Sequence, residues 1–173
     1  LSRKLEIVAP SYSTFVFGAK GGLLGKGTAT EGRVYAPSVV ADLDHDGTKE
    51  IVVGGNDGTV AAYNLSAGKL AVKWKASTCS GGQCPETRGL AAGDLDRDGR
   101  IEVVATTTNT SPSGSQVFVF EPNGSRAPGW PRYSAADATF NGAGNNGYGA
   151  YGENVGIGNV DRDPQLEVVV TFD

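Results

Sequence analysis

Three segments of the 173-residue chain spell one short phrase. They are Asp42-Leu43-Asp44-His45-Asp46-Gly47-Thr48-Lys49-Glu50, Asp94-Leu95-Asp96-Arg97-Asp98-Gly99-Arg100-Ile101-Glu102 and Asn159-Val160-Asp161-Arg162-Asp163-Pro164-Gln165-Leu166-Glu167. Each puts an oxygen-bearing side chain at its first, third, fifth and ninth positions. Each then runs into an apolar, mostly β-branched stretch: Ile51-Val52-Val53, Val103-Val104-Ala105 and Val168-Val169-Val170. Oxygens on alternate residues of a tight loop converge on one point, the arrangement a hard divalent cation such as Ca²⁺ takes. A helix-flanked EF-hand loop needs a bidentate Glu at its twelfth position. Here that position holds Val53, Ala105 and Val170, inside strand patterns. Most of the 19 acidic residues fall in these segments, so the loops need a cation to become compact, and the net charge of −4 says little about the rest of the surface.

The ninth-position glutamate marks a longer repeat. Lys4-Leu5-Glu6-Ile7-Val8 echoes Lys49-Glu50-Ile51-Val52, and Glu6, Glu50, Glu102 and Glu167 are 44, 52 and 65 residues apart. That is the period of a four-stranded unit, with insertions in the later two. A small-residue run precedes each loop: Ser38-Val39-Val40-Ala41, Leu90-Ala91-Ala92-Gly93 and Val155-Gly156-Ile157-Gly158. A third run follows at Phe15-Val16-Phe17, at Val60-Ala61-Ala62-Tyr63 and at Gln116-Val117-Phe118-Val119-Phe120, with Asn56-Asp57-Gly58 as a hairpin turn before the middle one. Ala67-Gly68 and Asn123-Gly124 turn into an outer strand, near Leu70–Trp74 in the second repeat. With 26 glycines and no sustained helical period, helices are not expected. The predicted class is all-β, with blades of four antiparallel strands arranged radially and the small residues innermost. A β-sandwich or solenoid is the alternative, and the repeat length favours blades over solenoid coils.

The stretch Ser38-Val-Val-Ala-Asp-Leu-Asp-His-Asp-Gly-Thr-Lys-Glu-Ile-Val-Val53, continued by Asn56-Asp57-Gly58-Thr-Val-Ala-Ala-Tyr63, resembles the FG-GAP or VCBS-type repeats of integrin-α-like calcium-binding β-propellers. Val117-Phe-Val-Phe-Glu-Pro-Asn-Gly124 and Pro128-Gly129-Trp130-Pro131 add to the likeness, which covers most of the chain outside residues 76–89 and 133–153. The resemblance implies a Ca²⁺ in each loop, up to three in all. The implied ligands are Asp42, Asp44, Asp46 and Glu50 with the Thr48 carbonyl, then Asp94, Asp96, Asp98 and Glu102 with the Arg100 carbonyl. The third set is Asn159, Asp161, Asp163 and Glu167 with the Gln165 carbonyl. The third site is expected to be the weakest, because neutral Asn159 opens it and Pro164 stands where glycine would free the backbone for a sharp turn. Literal Phe-Gly and Gly-Ala-Pro pairs are missing from their expected places. The chain is read as one propeller fragment over residues 1–173, with blades near 1–30, 36–75, 88–132 and 153–173, the first and last incomplete. Remaining blades of the same protein, or other copies, would complete the ring.

Cys79 and Cys84 enclose Ser-Gly-Gly-Gln, a spacing suited to a structural disulfide, with reduced thiols as the alternative; no further metal ligands lie nearby. A disulfide together with calcium loops points outside the cytosol: secreted, at the cell surface, or periplasmic. No run approaches the ~20 apolar residues of a membrane span, and no Lys/Arg cluster suggests nucleic acid. Blade-to-blade loops, near 26–37, 76–89 and 133–153, are expected on the face opposite the acidic loops. Arg88, Tyr148, Tyr151 and Glu153 are the candidate contacts there for a protein or glycan ligand, although a packed Gly-rich loop explains the same residues. The lone histidine, His45, sits at a solvent-facing loop position, so no catalytic triad can be assembled and no catalytic residue is assigned. The expected function is a calcium-binding extracellular β-propeller acting as a structural, adhesion or partner-binding scaffold. The alternatives are a lectin-like carbohydrate-binding propeller and a part, catalytic or not, of a polysaccharide-degrading enzyme.

Overall fold

A computed structural model describes residues 5–108, 115–130 and 155–170 in full, and residues 132–134 as backbone. The described residues form four antiparallel sheets. The first contains β1 (Glu6–Pro10), β2 (Thr14–Gly18) and β3 (Leu23–Gly27), in that order. The second contains β4 (Val39–Ala41), β5 (Glu50–Gly54), β6 (Thr59–Ser66) and β7 (Lys69–Ser77). The third contains β8 (Thr87–Gly93), β9 (Glu102–Thr107), β10 (Ser115–Phe120) and β11 (Arg132–Ser134), and the fourth β12 (Val155–Gly158) and β13 (Glu167–Val170). Within each sheet sequential strands are neighbours, and no helix occurs among the described residues.

The central strands read as continuous apolar runs because both faces of their sheets are covered. All five residues of β5 and all six of β9 are buried. Alternate residues face different neighbours, as strand geometry requires. Val52, Val60 and Ala62 pack with Leu90, Val103, Ala105, Phe118 and Phe120 between the second and third sheets. On the other face, Ile51, Val53, Ala61 and Tyr63 pack with Val16, Ala29, Val34 and Leu70 toward the first sheet. The third sheet repeats the pattern: Val104, Val117 and Val119 turn toward Val155, Ile157, Val168 and Val170 of the fourth. Each fully buried side chain of this size stabilises the stack by roughly 1.5–3 kcal/mol. The result is an all-β, β-propeller-like stack. Exposed apolar side chains occur at both ends of the stack: Ile7 of β1 with Leu5 just before it, and Val169 of β13 with Val160 in the preceding loop.

This architecture fixes where loops can go. The β4–β5, β8–β9 and β12–β13 connections are the three acidic phrases. Each leaves the same end of its sheet, and the first two return into the fully buried strands β5 and β9. One irregularity bears on the first of them. β7 pairs Trp74 with Ala62 and Val72 with Tyr63, so Lys73 is the extra residue of a β-bulge.

Candidate metal centres

The three loops share one backbone design. Their fourth residues, His45, Arg97 and Arg162, adopt left-handed φ values of 57°, 65° and 72°. Non-glycine residues rarely do so, and two loops add a second left-handed residue at Gly47 and Gly99, both at 87°. Hydrogen bonds to the acidic side chains hold the coil closed. The second-position N–H donates to Oε2 of the ninth-position glutamate: Leu43 to Glu50 at 2.9 Å, Leu95 to Glu102 at 2.7 Å and Val160 to Glu167 at 2.7 Å. Gly47 N–H donates to Asp42 Oδ2 at 3.0 Å, and Gly99 N–H to Asp94 Oδ2 at 3.1 Å.

These bonds occupy one oxygen of each anchor and leave the other turned inward. Carboxylate oxygens of Asp42, Asp44 and Glu50 lie within 4.8 Å of one another, as do those of Asp94, Asp96 and Glu102 and those of Asp161, Asp163 and Glu167. Each trio can hold a metal ion. Asp42 Oδ1, Asp94 Oδ1 and Glu102 Oε1 are buried without a hydrogen-bond partner. Glu50 and Glu102 are only 0% and 2% exposed. A buried carboxylate oxygen left in this state is costly.

The fifth-position residues behave differently. Asp46 Oδ1 accepts the Thr48 N–H at 2.7 Å, and Asp98 Oδ1 accepts the Arg100 N–H at 2.8 Å. Both carboxylates stand outside the converging trios. Thr48 and Arg100 thus contribute turn-closing N–H groups. In the third loop Asp163 belongs to the trio and also accepts the Gln165 N–H at 2.8 Å. Pro164 has no N–H to give, and the bond seen from Gly47 and Gly99 has no counterpart there. Asn159 instead accepts the Arg162 N–H at 2.7 Å through Oδ1 and donates to the Asp163 carbonyl through Nδ2. It is spent on its own loop, and the acids of this third trio are more exposed than those of the first two.

Beyond the loops, the first two sites have opposite electrostatic surroundings. Lys73 Nζ lies 2.7 Å from Asp44 Oδ2 and 3.0 Å from Glu50 Oε1. Its hydrogen bond holds the Asp44 carboxyl below the usual range. Burial opposes the charge on Lys73, but Asp44 and Glu50 more than offset it and raise its pKa. At the second site no described cation pairs with Asp94, Asp96 or Glu102. Arg100 pairs with Asp98 instead, at 2.5 Å. Burial pushes the Glu102 carboxyl up; the Leu95 N–H opposes this, while Asp96 and Glu121 add to it. The ladder register accounts for Glu121: Asn64 lies opposite Glu50, whereas Phe120 pairs with Val103 and so brings Glu121 beside Glu102. A cavity of about 530 Å³ opens there, lined by Asp96, Glu102, Glu121, Trp130 and Glu167 among others. The motif could not reveal Lys73 or Glu121, since one comes from β7 and the other from just after β10.

At the opposite end of the strands, Arg88 pairs with Glu86 at 2.5 Å and lies 4.5 Å from the Tyr35 ring centroid. Arg33 stands 5.2 Å from Tyr12 and 5.6 Å from Tyr35. Arg88 is therefore part of an Arg–Tyr stack whose other members the sequence did not single out. Tyr148, Tyr151 and Glu153 lie outside the described residues. Cys79 and Cys84 form a disulfide with an S–S distance of 2.05 Å, closing the β7–β8 loop.

Face-to-face antiparallel sheets with an acidic loop at one end define a β-propeller-type module. Within it, residues 42–105 match the family described as FG-GAP-like repeat, a span that begins at the first acidic loop and runs through the second into β9. Over that span the chain is similar to an FG-GAP-like repeat. Comparison with curated proteins gives no match.

Proposed function

We propose that this is a calcium-binding β-propeller module of the extracellular space, working as a rigid scaffold that presents its far face to a partner. The observation that carries the reading is the pair of inward, unpartnered oxygens at the second loop, Asp94 Oδ1 and Glu102 Oε1, in a trio within 4.8 Å. Two oxygens on opposite sides of an ion bound at about 2.4 Å stand about 4.8 Å apart, and an all-oxygen, carboxylate-rich set suits Ca²⁺. Asp42, Asp44 and Glu50 would hold a second ion, and Asp161, Asp163 and Glu167 a third. Bound calcium would neutralise the loops and tie the first strand of each sheet to the second.

The Cys79–Cys84 disulfide supports an oxidising, calcium-rich location. Exposed Ile7 and Val169 at the two ends of the stack support further blades, or other copies, packing there. The Tyr12–Arg33–Tyr35–Arg88 stack favours a ligand at the far face, and a glycan-binding module is the second reading it allows. Calorimetric titration of chelator-treated protein with CaCl₂ tests the calcium reading. Saturable uptake that falls by one equivalent in E102Q is expected; no uptake contradicts it.

A further inference from the structure

Two loops of near-identical sequence differ in one respect that their motif does not record. The first has an ammonium group inside it. The bulge in β7 re-aims Lys73, as bulges do, and sets Nζ at 2.7 Å from Asp44 and 3.0 Å from Glu50. Those are two of the three acids that converge in that loop. The second loop has no such group among the described residues, and Glu121 stands where the first has neutral Asn64.

We propose, resting on the calcium reading above, that Lys73 is a tethered counter-ion of the first loop. It makes the two sites unequal: the second loop binds Ca²⁺ first and tightly, and the first binds it only as the ammonium is displaced. A divalent ion entering the first loop meets a positive charge a few ångströms away, whereas one entering the second meets an additional carboxylate. Coulomb interactions at such distances are large enough to separate the affinities by at least about tenfold. The same lysine lets the first loop keep its shape without metal, since Glu50 is buried and a buried carboxylate without a cation is destabilising. The second loop has no such substitute and depends on calcium for its closure.

The test is calorimetric titration with CaCl₂ of the chelator-treated 173-residue chain carrying D161N and D163N, so that only the first two loops report. Two affinities at least about tenfold apart are expected, with E102Q abolishing the tighter one. K73M should tighten the weaker site by about tenfold or more, while K73R, which keeps the charge, leaves it weak. Melting in chelator supplies an independent readout: K73M should lose stability there and regain it with calcium, and a K73M chain that folds only with calcium supports the proposal equally. Equal affinities in the parent chain, or a weaker site indifferent to K73M, overturn the Lys73 proposal alone. Absence of any calcium uptake overturns the calcium reading and this proposal with it.

Discussion

The indole N–H of Trp74 donates to the main-chain carbonyl of Pro122 at 2.8 Å, joining the outer strand of the second sheet to the turn that follows β10 in the third. The ring lies in the core between those sheets, 6.5 Å from Phe120 by centroids. Adjacent sheets are thus held by directed bonds, this one among them, as well as by apolar burial. Trp74→Phe keeps most of the packing and strands the Pro122 carbonyl. Urea denaturation should show a loss of about 1–3 kcal/mol. A loss under about 0.5 kcal/mol would mean that water replaces the indole without penalty.

Gly124 faces the same ring. Its φ is +84°, and an added Cβ would stand 2.8 Å from Trp74 Cδ2. Gly47 has a similar φ of +87° but open space around it. Gly124→Ala therefore meets backbone strain and a clash, Gly47→Ala strain alone. With calcium saturating, Gly124→Ala should cost about 2–4 kcal/mol and Gly47→Ala about 1 kcal/mol. Equal costs in equilibrium unfolding would contradict the contact.

Asp57 gives stability a pH dependence away from the acidic loops. Burial opposes its ionisation, but the Glu31 N–H at 2.7 Å, the Thr59 N–H at 3.0 Å and the Thr59 hydroxyl at 3.0 Å outweigh this and lower its pKa from 3.8. The folded state thus binds fewer protons than the unfolded state. The contribution is complete above the unfolded value of 3.8 and is lost as pH falls through the lower folded value. Asp57→Ala should cost about 1–2 kcal/mol at neutral pH. That difference from the parent chain should shrink only below pH 3.8. A gap that closes already near pH 6 would assign it to another group.

The Cys79–Cys84 link closes a short loop, five residues apart in sequence. Constraining so small a loop removes little unfolded-state entropy, so a Cys79→Ser/Cys84→Ser chain should be less stable by about 2 kcal/mol. It should keep its β-rich circular dichroism. Unfolding of the double variant at room temperature would show that the link does more than restrain the chain.

Much of this architecture was legible because its signals are local. Asn56-Asp57-Gly58 specifies a turn by itself, and Ile51-Val52-Val53 declares a buried strand by itself. The acidic loops were legible for the same reason, including the departure of the third, where Pro164 withholds the N–H that Gly47 and Gly99 supply. The first and second loops were not distinguishable, because their difference is tertiary. Lys73 reaches Asp44 from 29 residues away through a bulge, and Glu121 reaches Glu102 through strand register. The fifth-position acids Asp46, Asp98 and Asp163 each accept a turn-closing N–H, a role that spacing alone did not indicate. At the far face the sequence singled out Arg88 and not the stack it joins, since Tyr35, which also meets Arg33, reaches it from the β3–β4 connection.

The central claim is that the acidic loops are calcium cages that pin the sheets. Thermal unfolding of the chain in excess calcium and in excess chelator tests it most directly. An ion that binds only the folded form at a hundred times its Kd stabilises by about 2.7 kcal/mol per site. The account predicts a Tm several degrees higher in calcium, with the gain reduced in E102Q. An identical Tm in calcium and in chelator would contradict it.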